Sequence, residues 1–238
     1  MTNVGEPPIA VSDGASVLED SAASSLDVLA NDTDVDGGPM LIASVTQPAR
    51  GAVVIIGSGS GLTYQPAADY AGPDSFSYTL NGGGSAVVTV TVIAVNDRPS
   101  FTKGANQAVT EGDPAQTIAG WATAISTGPA DETAQTVTFG VTSDNISLFG
   151  AQPAVDADGS LRFTPAAGAN GSATVTVTLQ DDGGTANGGI DTSAPQLFAI
   201  AITAVNDALG ALTMRKLRAR VEYKSARRRH PCTEPYAK

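Results

Sequence analysis

The amino-acid sequence predicts an all-β protein of two tandem β-sandwich domains followed by a basic tail. One observation is an internal repeat, because Leu62–Leu80 aligns without a gap with Leu161–Leu179 at an offset of 99 residues. A second is that Val95-Asn96-Asp97 recurs as Val205-Asn206-Asp207, at an offset of 110. A third is the composition, in which aromatic residues form only 5% and Val, Thr, Ala, Ser and Gly are abundant. Such a repeat indicates one unit built twice, and the composition favours strands joined by tight turns.

The first domain, residues 1–97, contains short runs of β-forming residues separated by Gly, Pro, Asn and Asp. Regular spacing of such runs indicates a β-sandwich. Pro66 ends the strand that precedes it, because proline cannot donate to a ladder. The predicted strands are Ile9–Val11, Ser16–Leu18, Leu26–Leu29, Met40–Val45, Val53–Ile56, Leu62–Tyr64, Ser75–Leu80 and the long, Val-rich Ala86–Val95.

The second domain, residues 98–207, gives the same order of strands. Trp121 is the only tryptophan, and we predict that it is a core anchor between the two sheets. Asp156–Gly159 takes the place of Gly57–Gly61, so it is interpreted first as a hairpin turn and second as a metal loop. The extra residues of this domain fall between its two matched segments, around Asp181–Ser193. The predicted strands lie around Phe101, Val109 and Ile118 and over Val137–Phe139, Leu161–Phe163, Ala173–Leu179 and Leu197–Ala204.

Charge is distributed unevenly along the chain. Residues 1–207 carry four basic and 22 acidic side chains, whereas residues 208–238 carry nine basic and two acidic ones. An acidic body repels nucleic acid and anionic membrane surfaces and attracts cations, so we expect no nucleic-acid partner for residues 1–207. No apolar run approaches the roughly 20 residues of a membrane helix, so we also expect no membrane insertion.

The tail, residues 208–238, differs from the rest of the chain and leaves three interpretations open. It is a polybasic arm for nucleic acid or an anionic surface, a disordered or helical end unrelated to the domains, or a segment that folds back on them. The abrupt change of composition after Asp207 favours the second. Met1 is not followed by a basic start and an apolar core, so we expect no signal peptide here and a longer parent protein if it is exported.

Residues 1–207 lack the clusters that common catalytic sites require. The only histidine and the only cysteine, His230 and Cys232, lie in the tail, which argues against Ser-His-Asp, Cys-His and zinc sites. Paired carboxylates occur in glycosidases, but here they lie in turns, and few aromatic residues are present to line a sugar cleft. We therefore expect that the protein is not an enzyme.

The strongest chemical signal is a series of carboxylates within Asn31–Gly38. Asp32, Asp34 and Asp36 occupy every second position before a glycine, a spacing with which oxygen ligands can surround one hard cation. Only the first half matches an EF-hand loop, because the twelfth residue from Asp32 is Ala43. We expect a loop site completed from elsewhere; the alternative is that these are ordinary turn residues. The predicted metal-ligand set is Glu19, Asp20, Asp32, Asp34, Asp36, Asn96, Asp97, Glu111, Asp131, Glu132, Asp181 and Asp182.

A succession of motifs runs through both domains. The first carries LED (Leu18–Asp20), VLANDTDVDGG (Val28–Gly38), LTYQP, DSFSYTL and AVNDRP (Ala94–Pro99), and the second carries ANQAVTEGDPAQTIAGWATAISTGPADE and SATVTVTLQDDGGTANGGIDTSAPQ. The first set resembles the bacterial cadherin-like, immunoglobulin-like repeats of large secreted surface adhesins, and the second resembles a sister repeat found beside them. The resemblance covers about residues 6–207. It implies a seven-stranded Greek-key sandwich and an extracellular, calcium-stiffened stalk or adhesive segment.

Carried over by position, five residues match the acidic positions of that family: Glu19, Asp34, Asp36, Asn96 and Asp97. One departure is that Asn81-Gly82 stands where such repeats carry Asp-Gly after the YT strand. The connector Val95–Pro99 is short, so it brings carboxylates of both domains close together. We expect a shared calcium ion to relieve their repulsion and stiffen the joint.

The sequence therefore predicts a calcium-binding extracellular repeat segment of a bacterial surface adhesin that acts in cell adhesion as a stiffened stalk. The expected partners are calcium, other copies of the repeat, and cell-surface proteins or glycans. One alternative is a passive spacer without a partner of its own. Another is a carbohydrate-binding module, for which Tyr70 is the only obvious loop aromatic.

Overall fold

A computed structural model of the protein describes residues 5–205, which form two β-sandwich domains in tandem. The predicted tail and Asp207 lie outside the described residues. Strict alternation explains why the strands form: in Ser85–Ile93, which reads SAVVTVTVI, every second side chain is buried and the others are exposed. Among residues 5–205 no helix has the length and apolar character needed to cross a bilayer.

Domain 1 has seven strands in two sheets. One sheet has the order β1-β7-β6-β3, in which β1 runs parallel to β7, and the other has the order β2-β5-β4. The strands are β1 Asp13–Leu18, β2 Ser24–Leu26, β3 Ile42–Val45, β4 Gly51–Ile56, β5 Gly61–Pro66, β6 Gly72–Leu80 and β7 Ser85–Ile93.

Domain 2 repeats this arrangement. Its four-stranded sheet, β9-β16-β15-β12, matches β1-β7-β6-β3 strand for strand, again with a parallel first pair, and its second sheet is β10-β14-β13. The two remaining strands, β8 and β11, pair with each other, and Phe101 of β8 is buried in the core of domain 2. The strands are β8 Ser100–Thr102, β9 Gln107–Thr110, β10 Gln116–Ile118, β11 Thr123–Ser126, β12 Val137–Ser143, β13 Phe149–Val155, β14 Leu161–Pro165, β15 Gly171–Asp181 and β16 Gln196–Thr203.

The fold class is as the sequence predicted, and the differences concern individual strands. Ile9–Val11 forms no strand; Ile9 makes only an isolated bridge to Thr33. The second strand ends at Leu26, although Val28 beyond it is buried in the core. Strands β11 and β13 were not predicted. β13 contains Pro153 and two register shifts against β14, which obscure its periodicity in the sequence.

Each domain has its own hydrophobic core between its two sheets, and the repeated segment supplies the centre of both. Leu62 and Tyr64 of β5 are fully buried in domain 1, and Leu161 and Phe163 take the corresponding positions in domain 2. Trp121 is buried as predicted: its ring packs on Phe198 with a centroid distance of 4.4 Å, and its indole Nε1 donates to the Ala105 carbonyl at 3.0 Å.

A buried polar contact ties the core of domain 1 to its Asp-rich loop. The hydroxyl of Tyr78 lies 2.9 Å from both carboxylate oxygens of Asp32, and Asp32 Oδ1 also accepts the backbone N–H of Val11 at 2.7 Å. Asp32 is 6% exposed and Tyr78 is fully buried. Since a buried carboxylate needs donors, Tyr78 stabilises the loop that begins at Asp32.

We predict that Tyr78→Phe destabilises domain 1 by about 1–3 kcal/mol, because Asp32 would remain buried without its hydroxyl donor. Urea unfolding monitored by far-UV circular dichroism, which reports the loss of β-structure, measures the change in the free energy of unfolding. Tyr70→Phe is the matched control, since the Tyr70 hydroxyl donates to the Pro73 carbonyl at an exposed position. Equal stability of the two variants would contradict the structural role of the Tyr78 contact.

Candidate metal centre

The carboxylates of interest meet where the two domains join, because β1 and β7 run parallel and end at the same edge of their sheet. The end of β1 places Glu19 and Asp20 there, and the end of β7 leads directly into the linker Ala94–Pro99. The β5–β6 loop adds Asp69 from domain 1. Domain 2 contributes a 3₁₀ turn at Ala130–Glu132 and the end of β15 at Asp181.

Glu19 fixes the beginning of the linker to domain 1. Its side chain is 3% exposed, and Oε1 accepts the backbone N–H of Val95. The other oxygen, Oε2, is buried and has no hydrogen-bond partner. A half-satisfied buried carboxylate is costly unless a positive charge lies beside it.

Glu132 holds the same linker from domain 2. It is 7% exposed, its Oε1 accepts the backbone N–H of Asp97 at 2.8 Å, and its Oε2 is buried without a partner. Gly128 permits this position, since a Cβ on Gly128 would lie 1.7 Å from Glu132 Oε2. The two glutamates, one from each domain, therefore use one oxygen for the linker and leave the second oxygen available.

Three further carboxylates form a cluster beside these glutamates. Asp20, Asp69 and Asp97 each offer an oxygen, and these oxygens lie within 4.8 Å of one another. Asp20 and Asp69 have left-handed backbone conformations, with φ of 55° and 54°, and Asp20 Oδ1 accepts the Asp69 backbone N–H at 3.0 Å. Oxygen ligands at such separations suit a hard divalent cation.

Electrostatics at the junction are unfavourable without a cation. Burial raises the pKa of Glu19, and the nearby charges of Asp131, Asp20 and Asp97 raise it further. Burial likewise raises the pKa of Glu132 and of Asp97, with added repulsion from neighbouring carboxylates. Within residues 5–205 the one ion pair is Arg162–Asp156, in a hairpin turn of domain 2, so no basic side chain in this range neutralises the cluster.

Asn96 attaches the middle of the linker to domain 2 without any metal. Its Nδ2 donates to Asp181 Oδ1 at 3.0 Å and to the Ile190 carbonyl at 3.1 Å, and its Oδ1 accepts from Gln135 Nε2 at 2.8 Å. The backbone N–H of Ile190 also donates to the Asn96 carbonyl at 2.8 Å. Ile190 belongs to the extra segment of domain 2, so that segment forms a clasp around Asn96.

Asp181 takes part in the clasp through one of its two carboxylate oxygens. It is 6% exposed, and its Oδ1 accepts from Asn96 and from the Gly183 N–H, while Oδ2 is buried without a partner. The junction thus presents three buried carboxylate oxygens without donors, from Glu19, Glu132 and Asp181. Buried polar atoms are normally hydrogen-bonded, so these oxygens have the chemistry to accept a positively charged ligand.

The remaining predicted ligands lie elsewhere or have other contacts. Asp131 is exposed at the junction, and its charge acts on Glu19, Asp97 and Glu132. Asp182 is exposed and accepts hydrogen bonds from Thr136 N and Oγ1 at 2.8 and 2.9 Å, which lowers its pKa.

The Asp-rich loop, residues 31–38, lies at the opposite end of domain 1, near the segment that leads into β1. Asp36 Oδ2 accepts the backbone N–H of Glu6, and Asp34 Oδ1 accepts the N–H of Asp36 at 3.0 Å. The structure therefore does not bring Asp32, Asp34 and Asp36 together with the linker residues. Instead, Asp36 holds Glu6 much as Glu132 holds Asp97.

The far end of domain 2 repeats only part of the junction. Glu111 Oε1 accepts the Val205 N–H at 2.9 Å, as Glu19 does for Val95. The positions of Asp20 and Asp69, however, are taken by Gly112 and Gly168, with φ of 79° and 67°. The cluster of three aspartates is therefore specific to the joint between the two domains.

Sequence reasoning missed Asp69, Gln135 and Ile190. Asp69 carried a signal, since it aligns with Gly168 and a left-handed position normally favours glycine. Gln135 had no signal in the sequence. Ile190 lies in the segment that the repeat alignment identified as extra, although the alignment does not say what that segment contacts.

One face of the candidate aromatic platform for sugars, the Tyr70 ring, lies against an arginine. The guanidinium of Arg50 lies 5.1 Å from the centre of the Tyr70 ring, and the Tyr70 hydroxyl donates to the Pro73 carbonyl at 2.7 Å. A sugar would stack on an open ring face, and Arg50 occupies one of the two faces of Tyr70.

Two tandem Ig-like sandwiches joined by a short linker define the class of protein. The family model of the bacterial Ig domain matches residues 5–94 and again residues 96–193, and the chain therefore belongs to the bacterial Ig domain family. A comparison with curated protein sequences gives no match.

Solved structures of similar fold include tandem cadherin domains. Human protocadherin-24 EC1-2 is 16% identical, with 84% of this chain and 100% of that chain covered and a TM-score of 0.59. Drosophila N-cadherin EC1-4 is 14% identical, with 85% and 50% covered and a TM-score of 0.53. Mouse cadherin-23 EC22-24 is 16% identical, with 84% and 68% covered and a TM-score of 0.51. These likenesses show the two-domain fold.

We predict that Gly183→Ala disrupts the Asn96 clasp, because a Cβ on Gly183 would lie 1.7 Å from Asn96 Oδ1 and 2.5 Å from Gln135 Nε2. Both side chains can move away, so each domain stays folded while the linker loosens. Small-angle scattering in chelator should show a broader distribution of interdomain distances. Gly14→Ala, whose added Cβ meets Thr89 at an ordinary 3.7 Å, is the control. An unchanged distribution in Gly183→Ala would refute the clasp.

Proposed function

We propose that the junction binds calcium and that the protein is a stiff extracellular segment of a bacterial surface adhesin. The observation that carries this proposal is the pair of buried carboxylate oxygens without partners on Glu19 and Glu132, beside the cluster of Asp20, Asp69 and Asp97. A third such oxygen, on Asp181, lies at the Asn96 clasp. Domain 1, the linker and domain 2 all contribute to this set. A cation shared by the three parts would reduce their freedom to move against one another.

The donor set favours calcium among the common divalent ions. It consists of carboxylates and the neighbouring amide oxygen of Gln135, which is also buried without a partner. Calcium accepts six to eight oxygen ligands in flexible geometry, whereas magnesium demands near-ideal octahedral geometry and keeps its water. His and Cys ligands, which zinc prefers, are missing from residues 5–205.

Each group of residues has a distinct role in this proposal. Glu19 and Glu132 position the linker through Val95 and Asp97 and present their second oxygens to the ion. Asp20, Asp69 and Asp97 supply the charge that a divalent ion balances. Burial and, to a smaller extent, repulsion raise the pKa of Glu19, Asp97 and Glu132, and bound calcium would offset both effects.

The expected affinity connects this site with an extracellular location. Extracellular calcium modules bind with dissociation constants on the order of 0.1–1 mM, so they fill outside the cell and remain empty in the cytosol. Membership of the bacterial Ig domain family and the tandem fold support a repeat segment of a surface protein. We propose a structural role in adhesion, and no catalytic role.

Calcium titration by calorimetry tests the proposal. We predict that Asp97→Asn lowers the affinity by at least about tenfold, because affinity depends on the number of charged ligands. At a calcium concentration ten times the dissociation constant, the wild-type chain should gain about 1.4 kcal/mol of stability, and the variant should gain much less. Asp158→Asn is the control, since Asp158 lies in a hairpin turn and accepts the Ser160 N–H at 2.9 Å.

A second variant separates the junction from the Asp-rich loop. The combined change of Asp34→Asn and Asp36→Asn should leave the junction affinity unchanged, because these residues lie at the other end of domain 1. If this variant abolished binding and Asp97→Asn did not, the site would belong to the Asp-rich loop, and the proposal for the junction would be wrong. Calcium-dependent self-association or cell binding would favour an adhesive role over a spacer role.

A further inference from the structure

Strand β4 is an edge strand with the composition of a pairing segment. It pairs with β5 on one side only, through six residues from Gly51 to Ile56 without a register shift. Its sequence, GAVVII, has no proline and no charge, and Val54 and Ile56 on its outer face are 57% and 40% exposed. Uncharged, β-branched edge strands are templates for pairing with another chain.

The equivalent strand in domain 2 is protected against such pairing. β13 carries Pro153 and is irregular, with register shifts between Phe149 and Ala151 and between Ala151 and Ala154. Proline and bulges are common means of blocking a sheet edge. β4 has neither of them, although it occupies the same place in the same fold.

Gln47 covers the middle of the β4 edge. Its side-chain Oε1 accepts the Val53 backbone N–H at 3.0 Å, and its Nε2 donates to the Val53 carbonyl at 2.9 Å. A carboxamide can do both, as a neighbouring strand would. Backbone groups of alternate residues point to the same side of a strand, so Gly51 and Ile55 face this free side together with Val53. Gln47 therefore occupies the backbone groups of Val53, the central one of the three residues that face the free side of β4, and a neighbouring strand cannot pair there.

We infer that the β4 edge is a self-pairing surface of this chain, kept closed by the Gln47 side chain. The occupant on release is the β4 strand of a second copy, because two antiparallel β4 strands are complementary to each other about a two-fold axis. Charge favours this occupant: the chain has a formal net charge of −11, yet no charged residue occurs from Gly51 to Ala68. Two copies can therefore approach at β4 without the repulsion found elsewhere, and Val54 and Ile56 of both would share one face.

The test measures the oligomeric state of the full chain by size-exclusion chromatography with light scattering over a concentration series. Chelator is present throughout, so that calcium at the domain junction does not contribute. Wild type should have the mass of one copy, and Gln47→Ala should shift toward twice that mass as concentration rises. Gln47→Met, which keeps the length of the side chain and removes the amide, should do the same.

Two further variants identify the surface. Adding Val54→Lys to Gln47→Ala should restore the single-copy mass, because lysine on an edge strand prevents pairing. Gln65→Ala, on the central strand β5, should stay at one copy because β5 is paired on both sides. The inference is overturned if both Gln47 variants keep the wild-type circular dichroism spectrum and remain single copies. It is equally overturned if their association persists with Val54→Lys.

Discussion

The joint between the domains depends on two buried glutamates that hold one linker from opposite sides. Glu19 of domain 1 accepts the N–H of Val95, and Glu132 of domain 2 accepts the N–H of Asp97. Satisfying a backbone donor requires only one oxygen of each carboxylate, so the second oxygen is buried without a partner. The hydrogen bonds that order the linker therefore also bury two carboxylate oxygens without donors, and a positive charge beside them would lower the cost of that burial.

Comparison of the repeated ends separates what every domain does from what is special to this joint. Glu111 holds Val205 and Asp36 holds Glu6, so the contact between a carboxylate and an incoming or outgoing backbone N–H recurs at both outer ends. Asp20 and Asp69 do not recur. Their counterparts in domain 2 are glycines, which adopt left-handed conformations more readily than aspartate does. Aspartate at these two positions carries a backbone cost, and a ligand role gives a physical reason for it.

The sequence was sufficient for the fold class, though not for β11 and β13, because alternation and the repeat are local signals, as Ser85–Ile93 illustrates. It also identified Asn96 and Asp97 as linker residues, since they lie in the linker itself, whereas Glu19 reaches the joint only because β1 pairs in parallel with β7. The Asp-rich loop was the strongest motif but lies at the other end of domain 1, because its spacing says nothing about which strand ends lie beside it. Asp69 and Gln135 reach the joint only through tertiary folding, which no local pattern records.

The clasp around Asn96 determines which side of the joint is free to move. Asn96 makes its hydrogen bonds to Gln135, Asp181 and Ile190, all in domain 2. The middle of the linker is therefore attached to domain 2. Domain 1 holds the linker through Glu19 and Val95, and its Asp20 and Asp69 repel Asp97 when no cation is present. The weaker boundary is therefore the one between domain 1 and the linker, which is also where the three aspartates meet. Cation binding would then act on that boundary, whereas the clasp keeps the linker on domain 2 whether or not the cation is bound.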